Sequence, residues 1–257
     1  MNTFNKVAKI YTNGRPGYPK KIYEIINQYI PFSPDSTILE IGSGHGIATE
    51  EIYNFWRVKI KGLEPGNKLY DIAQNRLSEI KNISFQNTTF EDFVTNNKFD
   101  GIFSATAFHW IDKSIKFKKS YDLLKDDGFL ICYWNNYLIN GEKNSKEIQK
   151  IYDNYHPCEI DNKNIRVVQE EKINSRVLEF KETEYFNIVA HHEVTHILEY
   201  STKRYIQLLK SFSPNANWGD KINKFYCKIS EYLDSINNTI EIEVKVNIEI
   251  GKKKFVK

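Results

Sequence analysis

Glu40-Ile41-Gly42-Ser43-Gly44-His45-Gly46 is the stretch of this 257-residue chain best suited to chemistry, a carboxylate followed by glycines at alternate positions. Ile38, Leu39 and Ile41 make an apolar run that suits a strand covered on both faces. A carboxylate is costly to bury, so Glu40 is expected at the carboxyl end of that strand, beside a donor. The glycines permit a tight turn at positive φ and let a ligand press against bare backbone. A helix starting after Gly46 points its N–H groups into the same space. Alone, the turn indicates a nucleotide-like ligand over a parallel sheet. The dinucleotide fingerprint GxGxxG fits poorly, because Ile47 stands where its third glycine belongs. A Walker-type phosphate loop lacks its GK[ST].

A second chemical motif, His192-Glu193-Val194-Thr195-His196, spells the HExxH of zinc proteases. That chemistry needs both histidines on one helical face. The surrounding Tyr185, Phe186, Ile188, Val189 and Ile197 suit a strand, on which the two histidines stand ~13 Å apart at ~3.3 Å per residue. No metal site is expected from it.

The elements that must position the glycine turn follow from periodicity. A helix is expected from Pro19, with Ile22, Ile25, Ile26, Tyr29 and Ile30 on one face, ended by Pro31 and Pro34. Strands are expected at about 36–41, 58–63, 83–85, 99–104 and 129–134, with helices at about 47–55, over Leu69 to Ile80, and through about Leu124. Strands separated by helices indicate a doubly wound α/β fold with right-handed crossovers. Residues 135–180 break this rhythm, with one amphipathic helix carrying Ile148, Ile151, Tyr152 and Tyr155, and are expected to form a helical lid over the carboxyl ends of the strands. Farther on come a strand near 184–190, helices over Tyr205–Phe212 and from Ile222 to Ile236, and a final strand. In that strand Ile240, Ile242, Val244, Val246, Ile248 and Ile250 alternate with mostly polar residues, as in an antiparallel strand joining a parallel sheet. The whole reads as a single domain over 1–257, with an N-terminal cap (1–30) and the lid (135–180), on a seven-stranded, mostly parallel sheet.

Composition sets the outer bounds. A formal charge of +3, from 36 basic and 33 acidic residues, gives no electrostatic case for nucleic acid as a partner. Lys252-Lys253-Lys254 reads as a solvated tail. No signal-like segment or apolar run of ~20 residues is present, so a cytoplasmic protein without membrane contact is expected. Cys132, Cys158 and Cys227 are odd in number and widely spaced, against a disulfide frame or structural zinc.

Glu40 to Gly46 resembles the ExGxGxG first motif of class I methyltransferases that use S-adenosylmethionine. Later features agree: Glu64 matches the family's acidic residue for the ribose hydroxyls, Phe90-Glu91-Asp92 lies where the family closes over adenine, and Leu123 to Phe129 is similar to its LLxpGG turn. Ser104 to Asp112 resembles the SaxafHWid segment of a bacterial and fungal small-molecule group that includes trans-aconitate methyltransferase relatives. Tyr11 with Arg15 to Pro19, and Leu208 to Ser213, are similar to two further elements of that group. The resemblance implies a Rossmann-like fold, S-adenosyl-L-methionine as cofactor and methyl transfer to a small molecule, a carboxylate among the candidates. It implies cofactor contacts from Glu40, Gly42, Ser43, Gly44, Gly46, Glu64, Pro65, Leu69, Thr89, Phe90, Glu91, Ala105, His109 and Trp110. Tyr11, Arg15, Tyr18, Trp110, Tyr133 and Trp134 are the candidates for the acceptor pocket, with Trp218 a further aromatic. Arg15 either braces its loop or binds an acceptor carboxylate in bidentate fashion. His109 is the candidate general base if the acceptor is a hydroxyl or amine. His45 is expected to serve through its backbone, with its imidazole toward solvent. The alternatives are a regulatory protein that binds the cofactor without turnover and, from the glycines alone, an NAD-dependent oxidoreductase.

Overall fold

Strand β1 (Thr37–Ile41) has Ile38 and Leu39 fully buried, as its apolar run dictates, and pairs in parallel with β2 (Lys59–Leu63) on one side and β4 (Phe99–Ala105) on the other. In this computed structural model residues 12, 14–157, 165–212, 215 and 218–255 are described. β3 (Ile83–Gln86) extends the sheet beyond β2, and β5 (Leu124–Ile139) extends it beyond β4, both in parallel. β6 (Phe186–Ser201) and β7 (Thr239–Lys253) complete seven strands in the order β3-β2-β1-β4-β5-β7-β6. Asn140 N–H bonds to Glu241 O, while Lys253 Nζ at the other end of β7 bonds to Leu124 O, so β7 runs antiparallel to β5. The doubly wound, mostly parallel sheet with an antiparallel last strand is therefore present as expected.

Helices cross between the strands. α1 (Lys20–Tyr29) buries Ile22, Tyr23, Ile25 and Ile26; α2 (Ile47–Trp56) follows the glycine turn, and α3 (Asn67–Arg76) follows β2. A 3-10 turn (Phe108–Trp110) and α4 (Lys113–Leu123) lead from β4 to β5. Asp112 caps α4 by accepting the Ser114 N–H at 2.8 Å. Tyr29, expected inside, is 38% exposed and holds His192 by its hydroxyl, while Tyr23 is buried instead.

Some expected boundaries shift. β5 absorbs the turn expected at 123–129: Leu124 pairs with Phe99 and Phe129 with Gly101, so Lys125 to Gly128 form an irregularity inside the ladder. It also continues to Ile139, so Asn135 to Ile139 belong to the sheet and not to the lid. Among the described residues, the remainder of that segment holds two helices, α5 (Glu142–Tyr155) and the 18-residue α6 (Ile165–Glu182), for the second of which the sequence pattern offered no assignment. β6 runs to Ser201, well past the expected end, and carries both histidines of the HExxH on a strand. α7 (Thr202–Lys210) and α8 (Asn223–Asp234) occur near the expected positions. Among the described residues no helix is long and apolar enough to cross a membrane.

Contacts divide the chain into two compact units. One comprises residues 1–16, 136–172 and 195–245, and its core joins α5, α7 and α8 through Ile148, Tyr205, Leu208, Phe225 and Leu233. The other comprises 17–135, 173–194 and 246–257. Its core gathers Leu39, Ile41, Leu63, Phe90, Ile102, Phe108, Phe117, Leu130, Trp134 and Phe180.

Candidate active site

The turn after β1 is built for close backbone approach. Gly42 and Gly44 hold φ of +69° and +58°, the left-handed region that glycine enters without a Cβ clash. A Cβ on Gly42 would lie 2.4 Å from that of Ala107, so this glycine lets the turn dock on the loop after β4. A Cβ on Gly44 would meet nothing within 4 Å, so the tip of the turn borders open space. Gly42 N–H and Ser43 N–H both donate to Leu63 O at 2.9 Å, and the buried Ser43 side chain faces the same end of β2. Gly46 forms the N-terminal boundary of α2.

Glu64 closes the turn from β2. Its Oε2 accepts the Gly44 N–H and its Oε1 the Gly66 N–H, both at 2.8 Å. Burial raises its pKa, and these two backbone bonds oppose the rise. Pro65 follows it, and Leu69, in the first turn of α3, is buried. Glu40 is 0% exposed; its Oε2 accepts the Thr49 hydroxyl at 2.5 Å, and its Oε1 has no donor among the described residues. Burial pushes its carboxyl up to about 7, the Thr49 bond opposes this, and the charges of Glu51 and Glu64 add to it. His45 corrects the expectation of a solvent-facing imidazole. It is 1% exposed, and burial, with Arg76 nearby, lowers its pKa to about 4, so it is neutral at pH 7.

Beside these acids lies a group of hydroxyls that sequence reasoning missed in part. Tyr18 N–H and Tyr23 OH donate to Glu51, the latter at 2.9 Å, and burial raises the Glu51 pKa to about 7 against the pull of those bonds. Tyr18 OH meets Thr106 Oγ1 at 2.9 Å, and its ring stands edge-on to that of Tyr133 at 4.7 Å. Tyr133 is fully buried, and burial drives its phenol pKa well up. Thr106 follows Ala105 and has φ +58°, a strained conformation for a residue with a Cβ, of the kind that clusters at functional sites. Asn135 N–H donates to Thr106 Oγ1, while the buried Asn135 Oδ1 has no donor among the described residues.

The 3-10 turn brings His109 and Trp110 to the surface. Both are exposed, Trp110 by 58%, with their rings 5.0 Å apart. Trp134 Nε1 donates to His109 Nδ1 at 3.1 Å. An indole nitrogen is a donor only, so Nδ1 is the acceptor and the neutral ring carries its proton on Nε2. A general base acting through Nδ1 is therefore unavailable in this arrangement. Phe90 is packed in the core, Glu91 accepts the Asp112 N–H at 3.2 Å, and Thr89 pairs with Asp92.

Arg15 belongs to the other unit. Its Nε donates to Ser211 Oγ at 2.8 Å, and its guanidinium lies 4.8 Å from the Phe212 ring centroid and 5.4 Å from that of Tyr137. Two elements of the small-molecule group, the Arg15 loop and Leu208 to Ser213, thus meet through one side chain. Tyr11 and Cys158 lie outside the described residues. Glu51, Tyr23, Thr106, Asn135 and Arg176 were not singled out in the sequence, because their bonds join residues tens of positions apart. The one local signal available was Thr106, inside the motif that already held Ala105 and His109.

Residues 38–128 match the model of the methyltransferase domain family. A protein of Saccharomyces cerevisiae named a probable S-adenosylmethionine-dependent methyltransferase is 28% identical over 131 residues, 48% of this chain and 43% of that protein. The malonyl-[acyl-carrier protein] O-methyltransferase of Calditerrivibrio nitroreducens is 28% identical over 154 residues, 58% of either chain. The chain thus spans about half the length of the curated relatives it matches. A candidate type II methyltransferase structure from Anaeromyxobacter dehalogenans superposes with a TM-score of 0.64 at 12% identity, covering 93% of this chain and 97% of that one, and shares its fold. Residues 38–128, which hold β1, its glycine turn and Glu64, therefore form a methyltransferase domain, and the fold around them agrees with it.

Proposed function

We propose that this domain transfers a methyl group from S-adenosylmethionine to an oxygen of a small, carboxylate-bearing acceptor. The observation that carries the reading is the set of carboxylate acceptors around the glycine turn. Glu40, Glu51 and Glu64 place three buried or half-buried carboxylates at one loop, and Glu40 Oε1 is a buried acceptor awaiting a donor. Such a set suits a ligand with a cationic amino-acid portion and a vicinal diol. Glu40 would serve the amino-acid end. Glu64 has lone pairs left beyond its two backbone bonds, and a carboxylate can accept both hydroxyls of a diol. Gly42, Ser43, Gly44 and Gly46 supply the backbone between them. Pro65, Leu69, Thr89, Phe90, Glu91, Ala105, His109 and Trp110 would line the remainder.

The bound cofactor supplies an activated methyl group, so the chain's task is to align donor and acceptor and exclude water. His109, with its proton on Nε2, is placed to donate a hydrogen bond and not to remove a proton. That favours an acceptor that arrives as an anion and needs no base. The relatives named malonyl-[acyl-carrier protein] O-methyltransferases agree with oxygen methylation beside a carboxylate. Tyr18, Trp110, Tyr133 and Trp134 are the proposed acceptor wall. The test is incubation with methyl-labelled cofactor and a pool of small metabolites. Label that is released by mild alkali identifies a carboxyl ester. Alkali-stable label overturns the carboxylate, and no transfer at all favours a cofactor-binding regulator.

A further inference from the structure

Just past the point where β5 stops pairing with β4 stands an amide that no motif assigns. Asn135 is 7% exposed, and its Oδ1 meets no donor among the described residues. A buried carbonyl oxygen left unpaired is costly, so one that persists calls for a partner from outside the chain. The amide cannot relieve this by turning over. Its Nδ2 donates to Gly17 O at 3.4 Å, and a flip would set Oδ1 against that carbonyl. The backbone is fixed as well, since Asn135 N–H donates to Thr106 Oγ1 at 3.3 Å and Thr106 N–H to Tyr133 O at 2.7 Å. The place matters as much as the atom. Ala105 pairs with Tyr133, and β1 flanks β4 on its other side. The winding of the sheet reverses between β1 and β4, where open α/β sheets bind ligands beyond the carboxyl ends of their strands. The glycine turn reaches the same ground from β1, because a Cβ on Gly42 would stand 2.4 Å from that of Ala107.

We infer that Asn135 is a specificity-determining residue whose Oδ1 accepts a hydrogen bond from a hydroxyl of the methyl acceptor, so that the domain selects a hydroxycarboxylate. The inference rests on the proposed carboxylate acceptor and adds the second group by which that acceptor is recognised. In that reading Glu40 and Glu64 meet the cationic and diol portions of the cofactor, and they stand on β1 and after β2. Asn135 lies across β4 from both, beside Tyr133 of the proposed acceptor wall. An amide oxygen is uncharged, so an ammonium gains more at the carboxylates, whereas a neutral hydroxyl suits the amide. The methyl group goes to a carboxylate oxygen, and the hydroxyl serves recognition and keeps its proton. An acid without that hydroxyl would leave Oδ1 buried and unpaired. A site built to bond a hydroxyl rejects such an analogue far more strongly than a site that merely accommodates one.

Methyl transfer from labelled cofactor tests this with pairs of acids that differ by one hydroxyl: malate and succinate, citrate and tricarballylate, 3-hydroxybenzoate and benzoate. Wild type is expected to prefer the hydroxylated member of at least one pair by about tenfold or more in kcat/KM. Asn135→Leu should bring that ratio to within about twofold of unity, losing rate on the hydroxylated acid and not on its partner. A merely structural asparagine would lower both members together and leave their ratio unchanged, and that result overturns the inference. The affinity for S-adenosylhomocysteine should stay within about twofold in the variant, whereas a loss of about tenfold places the amide on the cofactor and overturns the inference. Alkali-labile label carried equally by both members of every pair in wild type overturns the hydroxyl partner and leaves the carboxylate acceptor standing. Transfer to none of the acids overturns the carboxylate acceptor and the inference with it. Should Asn135→Leu fail to fold, Asn135→Ala decides by the same ratio.

Discussion

Replacing Glu40 by glutamine should separate the stability of the empty domain from its affinity for cofactor. Glu40 is fully buried, one of its oxygens has no donor, and its carboxyl is held at about 7 against an ordinary 4.5. A raised acid makes the folded state bind more protons than the unfolded one between those two values. Its stabilising contribution is therefore complete below about 4.5 and is lost as pH rises through about 7. From pH 6 to pH 8 the loss is about 1.4 kcal/mol, or about 2–4 °C in melting midpoint for a chain of this size. Glutamine is neutral throughout. Allowing about 1 kcal/mol for its unpaired amide hydrogens, Glu40→Gln should stabilise the ligand-free domain by about 2 kcal/mol at pH 8. The buried His45, neutral with a pKa of about 4, works in the opposite direction below pH 6.5. Both proteins carry it, so it cancels in their difference.

Binding should show the reverse sign. A cationic ligand favours ionised Glu40, whose ionised fraction falls from about nine-tenths at pH 8 to about one-tenth at pH 6. The affinity of wild type for S-adenosylhomocysteine should fall about tenfold over that range, while Glu40→Gln should bind weakly with a flatter profile. Differential scanning fluorimetry and calorimetry at pH 6, 7 and 8 read both quantities. A Glu40→Gln variant no more stable than wild type at pH 8, or a stability difference that does not change between pH 6 and 8, would mean that Glu40 is not a buried acid ionising in this range.

Gly44→Val should cost only about 1–2 kcal/mol, from strain at φ +58°, because its Cβ meets nothing within 4 Å; yet it should reduce cofactor affinity more than tenfold by filling the open tip of the turn. Gly42→Ala should destabilise far more than Gly44→Ala in urea unfolding, since its Cβ would stand 2.4 Å from that of Ala107. Glu179→Ala leaves Lys116, 1% exposed, without its ion partner and should cost about 3 kcal/mol, whereas the double change Lys116→Met, Glu179→Leu should recover most of that loss in the same assay.

The parts of the fold that could be read directly are those where local chemistry and tertiary role coincide. β1 is apolar because both its faces are covered, β7 alternates with a wetter face over Thr239–Lys245 but is buried on both faces from Val246 to Gly251, Asn247 and Glu249 included, and the glycine turn needs residues without a Cβ at Gly42 and Gly44. Glu64 was legible for the same reason, as the residue ending a strand beside the first. α6 was not, because its apolar residues form no stripe and its anchors, Glu179 and Phe180, find partners more than 60 positions away. Glu51 was hidden in a helix that reads as ordinary, since its bonds go to Tyr18 and Tyr23 in the N-terminal segment. His45 was misread because a turn position next to flexible glycines suggests exposure, whereas here the turn folds inward and buries the ring. For His109 the sequence showed a titratable ring in a motif, but the Trp134 bond that determines which nitrogen holds the proton exists only in three dimensions.

Whether the acidic glycine turn holds the cofactor is decided by calorimetric titration of S-adenosylhomocysteine into wild type and Glu64→Ala. Saturable binding at one site per chain is expected, weakened at least tenfold in the variant while its circular dichroism spectrum is retained. A folded wild-type protein that takes up no S-adenosylhomocysteine, or a Glu64→Ala variant that binds it as tightly as wild type does, would show that the cofactor does not sit at this turn.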